Sequence, residues 1–412
     1  MKLLTVDSLG EAREKIWKLF ESRPLESETI SLDEAVSCNC SRILAKDLYV
    51  SENIPGFRRS TVDGYAVLAA DTAGAGEAIP VFLKQTGTVS MGKPADFSIR
   101  GGECAYVPTG GMLPDGAGAV VMTEYCESIG GNIAVYEAVA PGAGMAEAGE
   151  DLKKGELLLR RGTLIRPQET GVLAAAGILN LLVFSPLKLT IISTGDELVP
   201  PGQNPMEGEI RDINTYALKA LALKRGYTLV KTLVLPDDEE KLEAALREAA
   251  ATSDVAVISG GSSQGEKDKT AAAINSSAKP GVFTHGLSLK PGKPTIIGWD
   301  EESQTLFAGL PGHPVAAMIV FELLLGWLGD KLFSGKDFFP VPARISCNVP
   351  GSPGRTVCQS VILHPEEGGY LAEPIFGKSG MITTLTRADG YILIDMNREG
   401  LNKGDPVLVH LM

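Results

Sequence analysis

Histidine is scarce in this chain, four in 412 residues, and none stands near a cysteine at zinc-ligand spacing. The six cysteines, Cys38, Cys40, Cys104, Cys126, Cys347 and Cys358, are scattered and form no Cys-x-x-Cys pair. A structural zinc module is thereby excluded, and separate thiols in a reducing cytoplasm are expected rather than a disulfide framework. Positive charge is also in deficit. A formal net charge of −13 argues against a nucleic-acid binder that relies on bulk charge. The stretch from Met1 to Phe20 mixes Asp7, Glu11, Arg13, Glu14, Lys15 and Lys18 with apolar residues and has no signal-peptide core. The longest apolar run, Val315 to Leu328, carries Glu322 and is too short to cross a bilayer, so a buried helix is expected there. No fixed-period repeat and no low-complexity tract interrupts the chain.

What is present is ordinary globular material, 44% hydrophobic and 22% charged, in a chain too long for one core. Ser8-Leu9-Gly10-Glu11 and Ser31-Leu32-Asp33-Glu34 each read as a capping box opening a helix. From Ile54 to Glu150 glycines are dense, strands are short and helical periodicity is missing, which predicts an all-β insertion. Arg166-Pro167 starts a helix that stops at Gly177. A β–α–β–α–β series follows, with strands near 187–194, 228–235 and 254–259 and helices near 214–225 and 238–251, Asn214 or Asp212 capping the first. That alternation predicts a parallel sheet. Beyond Lys336 short strands at 343–349, 356–363, 391–395 and 407–411 predict a small β domain or barrel.

The chemistry concentrates where apolar strands break at glycine. Ile191-Ile192-Ser193-Thr194-Gly195-Asp196-Glu197 and Val257-Ile258-Ser259-Gly260-Gly261-Ser262 through Asp268 both run from buried strand into small and acidic residues. Two such exits in one α/β unit describe a ligand crevice at the carboxyl ends of parallel strands. Glycines let backbone N–H groups approach an anion, and Glu197 and Asp268 can hold a cation beside it. A carboxylate roughly 4 Å from a phosphate oxygen is repelled by about 4 kcal/mol at an effective dielectric near 20. Acids around a phosphate therefore call for a divalent cation, and Mg2+ is the economical one. Lys290-Pro291-Gly292-Lys293-Pro294 holds two ammonium groups on a stiffened backbone and reads as an anion clamp. Asp237-Asp238 can cap the helix near Glu239. His313, in Leu310-Pro311-Gly312-His313-Pro314, has no acidic or nucleophilic partner in the sequence and reads as a structural or ligand-edge residue.

The order of motifs is more specific than any one of them. With Thr61-Val62-Asp63-Gly64-Tyr65-Ala66, Pro108-Thr109-Gly110, Gly149-Glu150-Asp151, the two strand exits, the Lys-Pro-Gly-Lys-Pro segment and Leu310-Pro311-Gly312-x-Pro314-Val315, the chain resembles the molybdopterin molybdenumtransferase family, the MoeA type, which is similar to the E domain of gephyrin. The resemblance spans nearly the whole length. It implies a multidomain α/β plus β chain. The parts would be a parallel α/β domain similar to the molybdopterin adenylyltransferases (1–22 and 187–337), a small α+β linking domain (23–50 and 149–186), a β-rich insertion (51–148) and a C-terminal β-barrel (338–412). It implies that molybdate joins the dithiolene of adenylylated molybdopterin, that the phosphoanhydride is hydrolysed with Mg2+, and that AMP leaves.

Carried over motif by motif, the resemblance makes Asp63, Thr109, Asp151, Glu197, Asp237 and Asp268 catalytic, with Glu197 and Asp268 on the metal. Gly195, Ser259, Gly260, Gly261, Ser262, Lys290, Lys293, Pro311, Pro314 and Ser379 would bind substrate. It implies a homodimer with Asp63 and Thr109 across the interface from the sheet. Hand-over partners would be a molybdopterin adenylyltransferase and proteins that mature molybdoenzymes, with no nucleic acid and no membrane involved. The chain departs from the pattern at Arg58, where many relatives carry Asp, at His313 for the usual Asn, at Ala316 for a common Ser and at Gln359 for an expected Arg. Three readings compete: the metal-inserting enzyme, with molybdate or tungstate as its oxyanion; a non-catalytic molybdopterin carrier or sensor; and a scaffold like the gephyrin E domain.

Overall fold

Ser8 and Glu11 cap α1 (Leu9–Phe20) reciprocally, and Ser31 and Glu34 do the same for α2 (Leu32–Ser37), as their spacing predicts. These elements belong to a computed structural model that describes residues 6–37, 42–260, 267–333 and 340–412, side chains of 267 and 268 excepted. The chain divides into two compact units, Met1–Glu28 with Ser41–Ile43 and Val183–Met412, and Thr29–Cys40 with Leu44–Leu182.

The second unit contains the expected β insertion. Its strands are β1 (Gly64–Val67), β2 (Val81–Thr88), β3 (Glu103–Val107), β4 (Ala119–Met122), β5 (Cys126–Ile129) and β6 (Asn132–Val135), in the order β4-β1-β3-β2-β6-β5. Only the β2–β3 pair is parallel. α3 (Pro167–Ala175) begins on proline, and Gly177, with φ +67°, ends it. The four described cysteines are free, and burial pushes the Cys104 thiol up to about 11 and Cys126 to about 12. Both stay protonated and inert at neutral pH.

The first unit has a sheet with helices on both faces. Its elements are β7 (Lys188–Thr194), α4 (Asn214–Lys224), β8 (Thr228–Leu235), α5 (Glu239–Thr252), β9 (Val255–Gly260), α6 (Lys267–Ser277) and β10 (Pro280–His285). They continue through β11 (Leu289–Lys290), β12 (Ile296–Asp300), β13 (Thr305–Leu310), α7 (Pro314–Phe321) and α8 (Trp327–Phe333). Strand side chains alternate between two cores. Ile191, Val257 and Ala308 pack with Ile16 and Phe20 of α1, whereas Ile192, Ile258 and Phe307 pack with Leu246 of α5 and Ile274 of α6. Burial on both faces explains why these strands read as unbroken apolar runs.

The sheet order is β8-β7-β9-β13-β12-β10. The first four strands are parallel, as the strand–helix alternation predicts for β7, β8 and β9; β12 alone runs the other way, antiparallel to both β13 and β10, which makes the sheet as a whole mixed. Hydrophobic periodicity carries no strand direction, and β12 follows β10 without a helix between them. The apolar run at Val315–Leu328 is helical and buried, but not uniformly α. A π-helical turn at Glu322–Gly326 joins α7 to α8.

The barrel closes through β14 (Val341–Ile345), β15 (Thr356–Glu366), β16 (Gly369–Pro374), β17 (Gly390–Ile394) and β18 (Pro406–Leu411), pairing in the ring β15-β16-β14-β18-β17-β15. β11 adds to it in parallel, with Leu289 opposite Thr356 and Lys290 opposite Val357. That pairing ties the barrel to the mixed sheet and fixes where Lys290 stands. Among the described residues, no helix is long and apolar enough to cross a membrane.

Candidate functional site

Backbone geometry builds the first cleft. Gly260 ends β9 at φ +130°, and a Cβ there would lie 2.1 Å from the Thr194 carbonyl oxygen, so only glycine lets the two strand ends come this close. A side chain at Gly195 would meet the Glu197 carboxylate at 2.6 Å, and so the absence of one leaves room for Glu197 to fold back over the end of β7. The Glu197 carbonyl is held by the N–H of Ile210 at 2.8 Å. Asp212 is buried and its Oδ1 accepts from the N–H of Thr215 at 3.1 Å, which makes it the side chain that caps α4. Thr215 in turn shares a 2.7 Å hydrogen bond with Ser193 of β7.

Asn214 is the first helical residue and acts differently from a cap. Its amide nitrogen donates to Ser259 Oγ at 2.8 Å and to the Gly312 carbonyl at 2.7 Å, tying α4, β9 and the exit of β13 together. The cleft so framed has a volume of about 260 Å³. Gly195, Glu197, Asp212, Asn214, Asp237, Ser259, Gly260 and Pro314 all line it. Of the carboxylates expected at the strand exits, Glu197 lines this cleft, and Asp212 and the half-buried Asp237 line it too, with Arg211 as the one cation among its described lining residues. The backbone N–H of Asp237 donates to Asp196 at 3.1 Å, and neighbouring Asp238 caps α5 through the N–H of Lys241. Gly261, Ser262 and the Asp268 side chain lie outside the described residues.

Among the described residues, no group of three or more His, Cys, Asp or Glu side chains could hold a metal by itself. Magnesium does not need one. It takes one or two carboxylates and fills its octahedron with ligand phosphates and water. Glu197, Asp237 and Ser259 all line the cleft, so oxygen donors of the type Mg2+ takes are present in it.

The second cleft, of about 550 Å³, lies between the mixed sheet and the barrel. Lys290 and Lys293 reach it from the sheet domain, and Arg355 and Lys378 reach it from the barrel. No carboxylate is present among its described lining residues. Pro311, Ala316, Gln359 and Ser379 also line it, and Arg355, four residues before Gln359, puts a guanidinium there. Gln359 instead donates its amide to the carbonyls of Ser360 at 3.0 Å and Ile375 at 2.7 Å. His313 Nδ1 stands 2.8 Å from Ser379 Oγ.

One loop is the wall between the clefts. Gly312 and Pro314 line the acidic side, while Pro311, His313 and Val315 line the basic side.

Three family patterns together match most of the chain: "MoeA N-terminal region (domain I and II)" over 7–177, "Probable molybdopterin binding domain" over 190–330 and "MoeA C-terminal region (domain IV)" over 342–412. The chain belongs to the MoeA family. A molybdopterin molybdenumtransferase of Haemophilus influenzae is 30% identical over 408 residues, 98% of each chain. Two solved molybdopterin biosynthesis MoeA proteins of Pyrococcus horikoshii superpose with TM-scores of 0.79 and 0.84 at 36% and 31% identity. They cover 99% of this chain and 99% and 100% of their own.

The family's remaining motif residues lie in the other unit. Asp63 follows the end of the Thr61-Val62 segment, and its Oδ1 accepts from both the Thr109 N–H at 2.7 Å and the Thr109 hydroxyl at 3.0 Å. The N–H bond first, and then the hydroxyl, hold its carboxyl below the usual carboxylate range. Asp151 is exposed on a turn, with its N–H donated to the Ile54 carbonyl at 3.1 Å. Arg58 is bound to the Ala117 carbonyl and lies 3.6 Å from Glu147. The residues that sequence reasoning passed over are Asn214, treated only as a cap, and Arg355 and Lys378. Nothing local marks the last two: the pairing of β11 with β15 brings Arg355 near Lys290, and Lys378 stands on a barrel loop after β16.

Proposed function

We propose that this chain is a transferase of molybdenum cofactor biosynthesis that inserts molybdate into adenylylated molybdopterin, with Mg2+-dependent cleavage of the phosphoanhydride and release of AMP. The observation that carries the proposal is the pair of clefts of opposite charge divided by the Pro311–Val315 loop. A substrate with phosphates at one end and a metal-accepting dithiolene at the other needs such a pair.

In the acidic cleft, Gly260 and Ser259 offer close backbone approach and a hydroxyl to the phosphates, while Glu197 and Asp237 would hold Mg2+, which would offset the phosphate charge. In the basic cleft, Lys290, Lys293, Arg355 and Lys378 attract and orient the tetrahedral dianion as point charges and a planar fork. The working form we propose is a homodimer, which sedimentation of the full chain tests.

The deciding experiment mixes purified protein with adenylylated molybdopterin, Mg2+ and either molybdate or tungstate, and follows AMP and cofactor. Oxyanion-stimulated AMP release is expected. Release indifferent to both oxyanions would mark a different hydrolase, and tight binding without turnover would mark a carrier.

A further inference from the structure

The basic cleft holds one feature that its charge does not explain. Ser379, on a barrel loop, is fastened to the start of α7 twice. Its carbonyl accepts from the N–H of Val315 at 3.2 Å, and its Oγ lies 2.8 Å from His313 Nδ1. His313 occupies the cap position of α7 yet makes no side-chain cap bond there, so its ring is committed to Ser379.

A serine hydroxyl has one proton and two lone pairs, and a neutral imidazole has one N–H and one acceptor nitrogen. If Nδ1 accepts, the serine proton is spent on the ring and Oγ offers only lone pairs to the cleft. Lone pairs repel an oxyanion. If Nδ1 carries the proton and donates it, the serine O–H is free to turn into the cleft and donate to an oxyanion oxygen. An anion among four cations selects the second arrangement, because only that one provides a neutral donor.

We propose that His313 is a positioning residue that makes the Ser379 hydroxyl a hydrogen-bond donor to a tetrahedral oxyanion in this cleft. It acts through Ser379 and does not itself touch the anion. The inference rests on the oxyanion reading of the basic cleft given above.

The test titrates sodium molybdate and sodium tungstate into the full chain by calorimetry, without turnover. His313→Ala and Ser379→Ala are each expected to weaken binding about tenfold, the worth of one hydrogen bond to a charged group. The double variant is expected to bind no more weakly than Ser379→Ala alone, since one interaction can be lost only once. His313→Asn keeps an N–H donor near the same place and should retain most of the affinity. His313→Asp has nearly the same shape but only accepts, and should lose it. Thermal melting identifies any variant that fails to fold, and His313→Asn with Ser379→Ala then carries the comparison.

Additive losses in the double variant, wild-type affinity in His313→Ala, or equal binding by His313→Asn and His313→Asp would each overturn the proposal. A wild-type chain that binds neither oxyanion would sink the oxyanion reading as well. A wild type that binds, with His313→Ala unchanged, sinks this inference alone.

Discussion

Glu322 lies in the π-helical turn between α7 and α8, in the middle of the chain's longest apolar run, and its side chain is only 7% exposed. It is paired with Arg225, at the end of α4, whose side chain is 16% exposed. The guanidinium Nε donates to Glu322 Oε2 at 2.9 Å and a second nitrogen meets Oε1. Asp330 of α8 stands 3.7 Å away, and the nearby Tyr227 hydroxyl donates to the Leu325 carbonyl at 2.8 Å.

Replacing Glu322 with Ala leaves a guanidinium desolvated and facing Asp330 across a looser contact. Breaking one side of a buried pair costs about 3–5 kcal/mol, and Asp330 places this case near the lower end. For a unit of this size each kcal/mol moves Tm by about 2–4 °C, so the transition of the sheet-and-barrel unit should fall by about 6–12 °C in scanning calorimetry. Removing both charges together, Arg225→Met with Glu322→Leu, should recover most of the loss, because an apolar pair has no desolvation cost to offset. A Glu322→Ala variant that melts within about 2 °C of wild type would refute the reasoning, as would a double variant as unstable as the single one. The consequence reaches the clefts, because α7 starts at the wall between them.

Three further outcomes are expected. Thr109→Val removes the hydroxyl but not the backbone N–H from Asp63, so its pKa should rise only part of the way to the ordinary value, read by NMR titration; an unmoved pKa would assign the depression wholly to the backbone. The sign follows from a depressed folded value: the Asp63–Thr109 contribution is complete above the ordinary carboxylate range and is lost as pH falls through the lowered one. Lys290→Ala and Lys293→Ala should each weaken molybdate binding about tenfold, with added salt weakening the wild type, while pterin-phosphate binding stays the same. Glu197→Gln should slow oxyanion-stimulated AMP release with little change in molybdate affinity measured by calorimetry, and equal release would remove Glu197 from the phosphate chemistry.

Much of this architecture could be read from residues close together in the chain. The Ser8–Glu11 and Ser31–Glu34 boxes, proline at the start of α3, glycine at its end and the strand–helix alternation from 188 to 260 are local signals, each decided by neighbours within about one helical turn or one pleat. The strand β16 has no such local signal, and neither does the reversed direction of β12, because the burial pattern of a strand reports which face is covered and not which way the strand runs. The π turn has no local signal either: the apolar run is uniform, and the partner of the one charged residue in it, Arg225, lies 97 positions from Glu322.

Capping, periodicity and glycine-marked strand ends act over a few residues, and so most of the elements, the order of the motifs and the family they mark can be read from the chain alone. Which charges share a cleft is settled by the fold: Glu197 and Asp237 line one, while Lys290, Lys293, Arg355 and Lys378 line the next. The physical reason is that β11 is hydrogen-bonded to β15 across a long separation in the chain, and that the loop from Pro311 to Val315 presents alternate residues to either side. Segregated charge of this kind is a product of strand pairing and core burial, which no local pattern encodes.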